Sequence, residues 1–241
     1  MGIARAVQKE VENMPAGQVF GYQALSEYTN SSTAVVRAVN RLVEKKKLSR
    51  FSSGKFYVPK TGLLGAQSLS DNELIRATLY KNGKLRGYVT GLALFNQLGL
   101  TTQIPSTITL AINGGKQEKK YSTIRIRTVV TPIRVSEEIV PLLQYLDVLK
   151  DLKKIPDSDP NVSLKIVRRC ISELSRVQKS KLASLATNYY GPQVRALTGM
   201  LLTRLQSPLS KSLALSLNPI TVYKLNIDAD KWPEAKDWNI V

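Results

Sequence analysis

The chain has 241 residues, with 35 Lys and Arg against 18 Asp and Glu, a formal charge of +17, no histidine and one cysteine. The missing histidine excludes His-based triads, His general bases and His-containing metal sites, and the lone Cys170 excludes an internal disulfide, a thiolate zinc cluster and a Cys-x-x-Cys redox pair. This length gives one large domain or two small ones, the 43% hydrophobic fraction supports a substantial core, and so basic a balance points to a polyanionic partner, most often nucleic acid.

The first helix is expected from about Gly2 to Asn13, with Ile3, Val7 and Val11 as its buried stripe. The early Lys9, Glu10 and Glu12 argue against a signal peptide. Pro15-Ala16-Gly17 ends the helix, Val19-Phe20 is a short extended piece, and a brief second helix covers about Tyr22 to Tyr28. After the turn at Thr29-Asn30, Ser31 or Ser32 can cap a third helix reaching about Lys46. Its apolar face is Val35, Ala38, Val39, Leu42 and Val43; Thr33, Arg37, Asn40, Arg41 and Glu44 form the opposite face. Two short strands follow, around 48–51 and 55–58, turning at Ser52-Ser53-Gly54, and Pro59 stops the second.

Charge concentrates in this segment. Residues 1–30 are net −1, residues 31–60 net +7, and the remaining 181 residues net +11. Helices followed by a basic hairpin are the order of a winged helix-turn-helix, whose third helix enters the DNA major groove. Arg37 or Arg41 can reach guanine bidentately and Asn40 can pair with adenine. Lys45, Lys46, Lys47, Arg50 and Lys55 suit phosphates, which carry no sequence information. Two plainer readings stay open: a lysine triplet at a helix end also complements the helix dipole, and winged helices also dock proteins.

Residues 61–69 read as a linker rich in Gly, Ser and small residues, which divides the chain into 1–60 and 70–241. Ser70 and Glu73 have capping-box spacing, Leu69 and Leu74 could form a hydrophobic staple, and that helix should reach about Tyr80. Thr90 caps a short helix to about Leu98. Strands at 107–112 and 123–128 are expected to pair as a hairpin through the loop 113–120. Arg125 and Arg127 share one face of the second strand, either as a basic face for an acidic partner or RNA or as two solvated side chains. Helices follow at about 137–153, 162–174, 177–189, 192–205 and 209–215, then a last strand at 220–225. The fold class is therefore α+β and mainly α: an N-terminal winged helix plus a larger α+β domain with a β-hairpin and a C-terminal helical part.

No constellation supports an enzyme or calls for a metal or cofactor. Asp157 and Asp159 lie in a proline-bounded turn, Asp228 and Asp230 lack further ligands, and Gly114-Gly115-Lys116 lacks the phosphate-loop spacing. Cys170 has no histidine to activate it and reads as a buried inert thiol. With no run of 18 apolar residues, no helix spans a membrane, and the expectation is a cytoplasmic protein.

Several packing and turn patterns resemble antitoxins of AbiE-type (type IV) toxin–antitoxin systems. They are the stretch from Met14 to Phe20, Gly87-Tyr88-Val89-Thr90-Gly91, Leu98 to Pro105, the stretch from Gly191 to Gly199, and Trp238-Asn239-Ile240. The resemblance implies a repressor of its own operon that binds promoter DNA through the winged helix. It also implies a second domain that counteracts a nucleotidyltransferase-like toxin, directly or through its effect. Carried over by position, the DNA-facing residues are Ser32, Thr33, Arg37, Asn40 and Arg41, with the wing from Arg50 to Lys55. A plain winged-helix regulator, whose second domain senses a ligand or oligomerises, is the alternative.

Overall fold

The computed structural model describes residues 2–62 and 65–241 of an α+β, mainly helical chain. It divides into two compact units: residues 2–86 with 120–124, and residues 87–119 with 125–241.

In the first unit, α1 (Ile3–Glu12) buries Val7 and Val11 on one face. β1 (Val19–Gly21) follows the left-handed Gly17, whose N–H donates to the Val58 carbonyl at 2.8 Å. The helix expected at 22–28 is instead two 3-10 turns, Tyr22–Ala24 and Ser26–Tyr28. The extended Leu25 between them breaks the α-helical path and turns its side chain into the core. α2 (Ser32–Glu44) buries Val35, Ala38, Val39 and Leu42 as its periodicity requires. Its end closes by two bonds, Lys46 N–H to the Val43 carbonyl and Lys47 N–H to the Leu42 carbonyl, both 2.9 Å. This is a Schellman closure with Lys46, at φ 56°, in the left-handed position that glycine usually takes.

β2 (Ser49–Ser52) and β3 (Lys55–Tyr57) form the wing, and β1 pairs with β3 to give the order β1-β3-β2. The fully buried Phe56 joins the strands to the helices, contacting the Tyr22 ring at 5.1 Å between centroids, and Tyr22 in turn stacks on Tyr28.

The stretch expected to be a linker pairs β4 (Lys60–Gly62) with β5 (Gly65–Gln67) as antiparallel strands; residues 63 and 64 lie outside the described residues. The division does not fall there, because the next helix, α3 (Asp71–Leu79), is tied to the winged helix. Ser70 Oγ caps it as expected, accepting from the Glu73 N–H. The Glu73 carboxylate accepts from the Val19 N–H of β1 at 2.8 Å. β6 (Tyr80–Lys81) and β7 (Lys84–Leu85) form a small hairpin around the left-handed Asn82 and Gly83. Residues 120–124 complete the unit: Tyr121 stacks on Phe51 of the wing at 6.1 Å, and the Thr123 hydroxyl donates to Asp71.

The second unit opens with β8 (Gly87–Thr90) and α4 (Leu92–Gln97), followed by β9 (Thr107–Ile112), β10 (Gln117–Lys120) and β11 (Arg125–Val130). The sheet order is β10-β11-β9-β8. β9 and β11 are parallel, not the expected hairpin. The connection carries β10 along the sheet edge, which returns the chain to the end where β9 began. A Cβ on Gly87 would collide with the Ala111 carbonyl, so this close strand approach requires glycine.

The helical part comprises α5 (Val140–Lys150), α6 (Pro160–Ser172), α7 (Arg176–Tyr189), α8 (Pro192–Arg204) and α9 (Ser210–Leu215), with a 3-10 turn at Leu152–Lys154. α5 starts three residues later than expected, behind the turn at Ser136 that accepts the first backbone bonds. Asp159 Oδ1 caps α6 through the Asn161 N–H at 2.8 Å. α8 is buried from Ala196 to Leu202, and Trp238 fills the space that Gly199 leaves without a side chain. The strand expected at 220–225 reduces to one bridge, Tyr223 with Ile240, with further bonds to Val241.

Candidate nucleic-acid interface

α2 and the wing carry most of the basic side chains that the sequence singled out in the first unit. Burying Val35, Ala38, Val39 and Leu42 sets the rotation of α2 and leaves Ser32, Thr33, Arg37, Arg41, Lys45 and Lys46 exposed, with Asn40 half-buried. Ser31 takes the N-cap position, but its side chain makes no cap bond. Arg37, Arg41, Lys45 and Lys46 have no ion-pair partner among the described residues. Lys47 pairs with Glu12 at 3.2 Å, with both side chains about half exposed, a bond weak enough to be exchanged for a phosphate.

The sequence missed the link between helix and wing. Arg50 Nη2 donates to Asn40 Oδ1 at 3.2 Å, and its guanidinium lies 5.5 Å from the centre of the Phe56 ring. Arginine only donates, so the Asn40 oxygen must face Arg50 and the amide Nδ2 points away from it. Bidentate pairing of Asn40 with adenine, expected above, requires that same oxygen. In this geometry Asn40 presents a donor alone, which suits the acceptors N7 and O6 on a purine edge.

Lys55 is a correction. Although it opens the second wing strand, its ammonium donates to the carbonyls of Ala77 and Tyr80, the latter at 2.9 Å, at the C-terminal end of α3. Unsatisfied carbonyls and the negative end of the helix dipole collect there, so Lys55 joins the wing to α3 instead of facing phosphate. Arg125 and Arg127 are also engaged. Glu118 of the neighbouring β10 reaches both, at 3.4 and 2.9 Å, so the pair is no open basic face. Lys60, exposed on β4, is a further cation of the first unit, at the end of the 1–60 segment, that the sequence reading did not single out.

The carboxylate pairs serve turns. Asp157 accepts from Gln103, Asp159 caps α6, and Asp228 accepts from the Asp230 N–H and pairs with Lys231 at 3.0 Å. Lys231 and the Asp230 N–H hold the Asp228 carboxyl below its ordinary range. Cys170 is half-buried instead of buried, and desolvation pushes its thiol up, away from the reactive thiolate.

The match to known proteins covers most of the chain. The sequence pattern of a family of unknown function, DUF6088, matches residues 6–159. The chain belongs to the DUF6088 family. The matched span runs from within α1 to Asp159, the cap of α6, so it takes in α2 and the wing of this DUF6088 protein. No curated protein matches it. Among solved structures, the crystal structure of the RV2827C protein from Mycobacterium tuberculosis is similar, with 13% identity and a TM-score of 0.52. The likeness spans 99% of this chain and 90% of that one, and at this identity it is a likeness of fold. No helix among the described residues is long and apolar enough to cross a membrane.

Proposed function

We propose that this DUF6088 protein binds double-stranded promoter DNA with α2 in the major groove and the wing on the backbone. We further propose that it is the autorepressing antitoxin of a type IV toxin–antitoxin system. The observation that carries the DNA reading is the unneutralised row Arg37, Arg41, Lys45 and Lys46 on the exposed side of a core-anchored helix beside a wing. The antitoxin role rests on the sequence resemblance to AbiE-type antitoxins, and the second unit is its carrier. In this reading the protein acts by binding, in the cytoplasm, and performs no chemistry of its own.

The test uses the full chain. Titration against its own promoter at several salt concentrations should give a log–log slope of about −3 to −5, for roughly four to five phosphates neutralised. Arg37→Ala and Asn40→Ala should each cost about 1–3 kcal/mol on the operator and little on random DNA. A slope near zero overturns the DNA reading. Co-expression with the cognate toxin, under a promoter without the operator, tests the antitoxin role. Growth rescue should survive Arg37→Ala; absence of rescue by the unaltered chain favours the plain regulator.

A further inference from the structure

The second unit contains a solvent-connected cavity of about 210 Å³, walled by Tyr88, Thr90, Asp147, Lys150, Tyr189 and Tyr190 together with residues 129–133. Asp147 interrupts the apolar run of α5 and is 4% exposed. Its Oδ2 accepts from the Thr90 hydroxyl at 2.6 Å and the Tyr88 hydroxyl at 3.2 Å. Its Oδ1 accepts from the Tyr190 hydroxyl at 3.1 Å and Lys150 Nζ at 3.0 Å. Burying a carboxylate costs several kcal/mol unless donors surround it, and here four do.

Each hydroxyl has a single proton. The protons of Tyr88 and Thr90 go to Asp147, and Tyr190 directs its proton to Asp147 at 3.1 Å with the Leu143 carbonyl, at 3.4 Å, as a second acceptor, so toward the cavity these oxygens offer lone pairs. Burial, and then the Asp147 charge, push both tyrosines well above their ordinary range, which keeps those protons in place. The cavity is therefore rich in acceptors and biased toward positive charge. The one cation on its wall, Lys150, is half exposed, and a second carboxylate, Asp151 Oδ2, lies 3.9 Å from its ammonium. Lys150 can turn to Asp151 and leave its place at Asp147 vacant. A purely structural ion pair needs no space beside it, whereas this one borders a cavity of about 210 Å³, far more than a single water requires.

We propose that the cavity binds a small primary amine, alkyl or arylalkyl, whose ammonium replaces Lys150 Nζ on Asp147. Lys150 is then a tethered competitor that keeps the site neutral when empty. This inference stands apart from DNA binding by the first unit.

The experiment is calorimetric titration of the full chain with tyramine and 1,4-diaminobutane, and with butanol and butyrate as neutral and anionic counterparts. Both amines should bind, and the counterparts should not. Lys150→Met should bind the amines about three- to fivefold more tightly, the share carried by a half-exposed ion pair. Asp147→Asn should lose binding. If that variant fails to fold, the Lys150→Met comparison decides alone. No amine binding by folded Lys150→Met, weaker binding by that variant, or a preference of the unaltered chain for butyrate overturns the proposal.

Discussion

On the proposed DNA reading Lys46 carries a conflict between folding and binding, and replacing it with glycine separates the two. Its φ of 56° puts a side-chain-bearing residue in the left-handed region, where the helix ending requires it. That conformation costs a non-glycine residue about 1–2 kcal/mol. Glycine is free of the strain but loses about 0.5–1 kcal/mol more backbone entropy on folding. Lys46→Gly should therefore stabilise the first unit by about 0.5–1 kcal/mol. For a unit of this size that raises its unfolding midpoint by about 3–6 °C. The same change removes one exposed cation, so the salt slope of DNA binding should become less negative by about 0.9. Lys46→Ala is the control: it loses the charge but keeps the Cβ, so binding should weaken equally with no gain in stability. The assays are thermal unfolding without DNA and fluorescence anisotropy titrations across a salt series. If Lys46→Gly is less stable, the strain argument fails. If its salt slope is unchanged, Lys46 does not face phosphate and only terminates the helix.

Three further outcomes follow from the geometry. Arg50→Ala releases the Asn40 oxygen, so selection from randomised duplexes should shift toward adenine opposite Asn40, by about 1–3 kcal/mol; an unchanged preference means that Asn40 does not read a base. Lys55→Met should destabilise the first unit by about 1–3 kcal/mol in denaturant unfolding, since a charged donor to helix-end carbonyls is lost, and should leave the salt slope unaltered. In the second unit, the native Tyr190 holds its proton above the ordinary pKa, so its stabilising effect is complete below the unfolded value of about 10 and is lost as pH rises beyond it. Tyr190→Phe should therefore flatten the fall of the unfolding midpoint above about pH 10; an equally steep fall places the alkaline sensitivity elsewhere.

The legible part of the fold was the part written in periodicity. Val35, Ala38, Val39 and Leu42 announce the buried face of α2, and with it the exposed one. What escaped depends on partners distant along the chain. Lys55 resembles any wing lysine until α3, more than twenty residues on, brings two carbonyls to it. The parallel pairing of β9 and β11 turns on an edge strand, Gln117–Lys120, that is wholly exposed and lacks an apolar alternation to mark it. Asp147 did leave a trace, as a lone carboxylate in an apolar helix, but its tyrosine partners lie 59 and 43 residues away. Leu25 shows the limit for short helices: a buried extended residue splits a stretch whose local preference is a single turn-rich helix.

The placement of residues 120–124 in the first unit has a consequence for inheritance. That short segment sits in sequence between β10 and β11 of the second unit, yet Tyr121 stacks on the wing and Thr123 bonds the start of α3. A single recombination at Arg86–Gly87 would carry away the winged helix and strand this piece in the other partner. The first unit is thus not a cassette that can be traded for another by one crossover. On the proposed DNA reading, a change of operator would come by point substitution on α2 and the wing, with Tyr121 and Thr123 held in place by their contacts to Phe51 and Asp71.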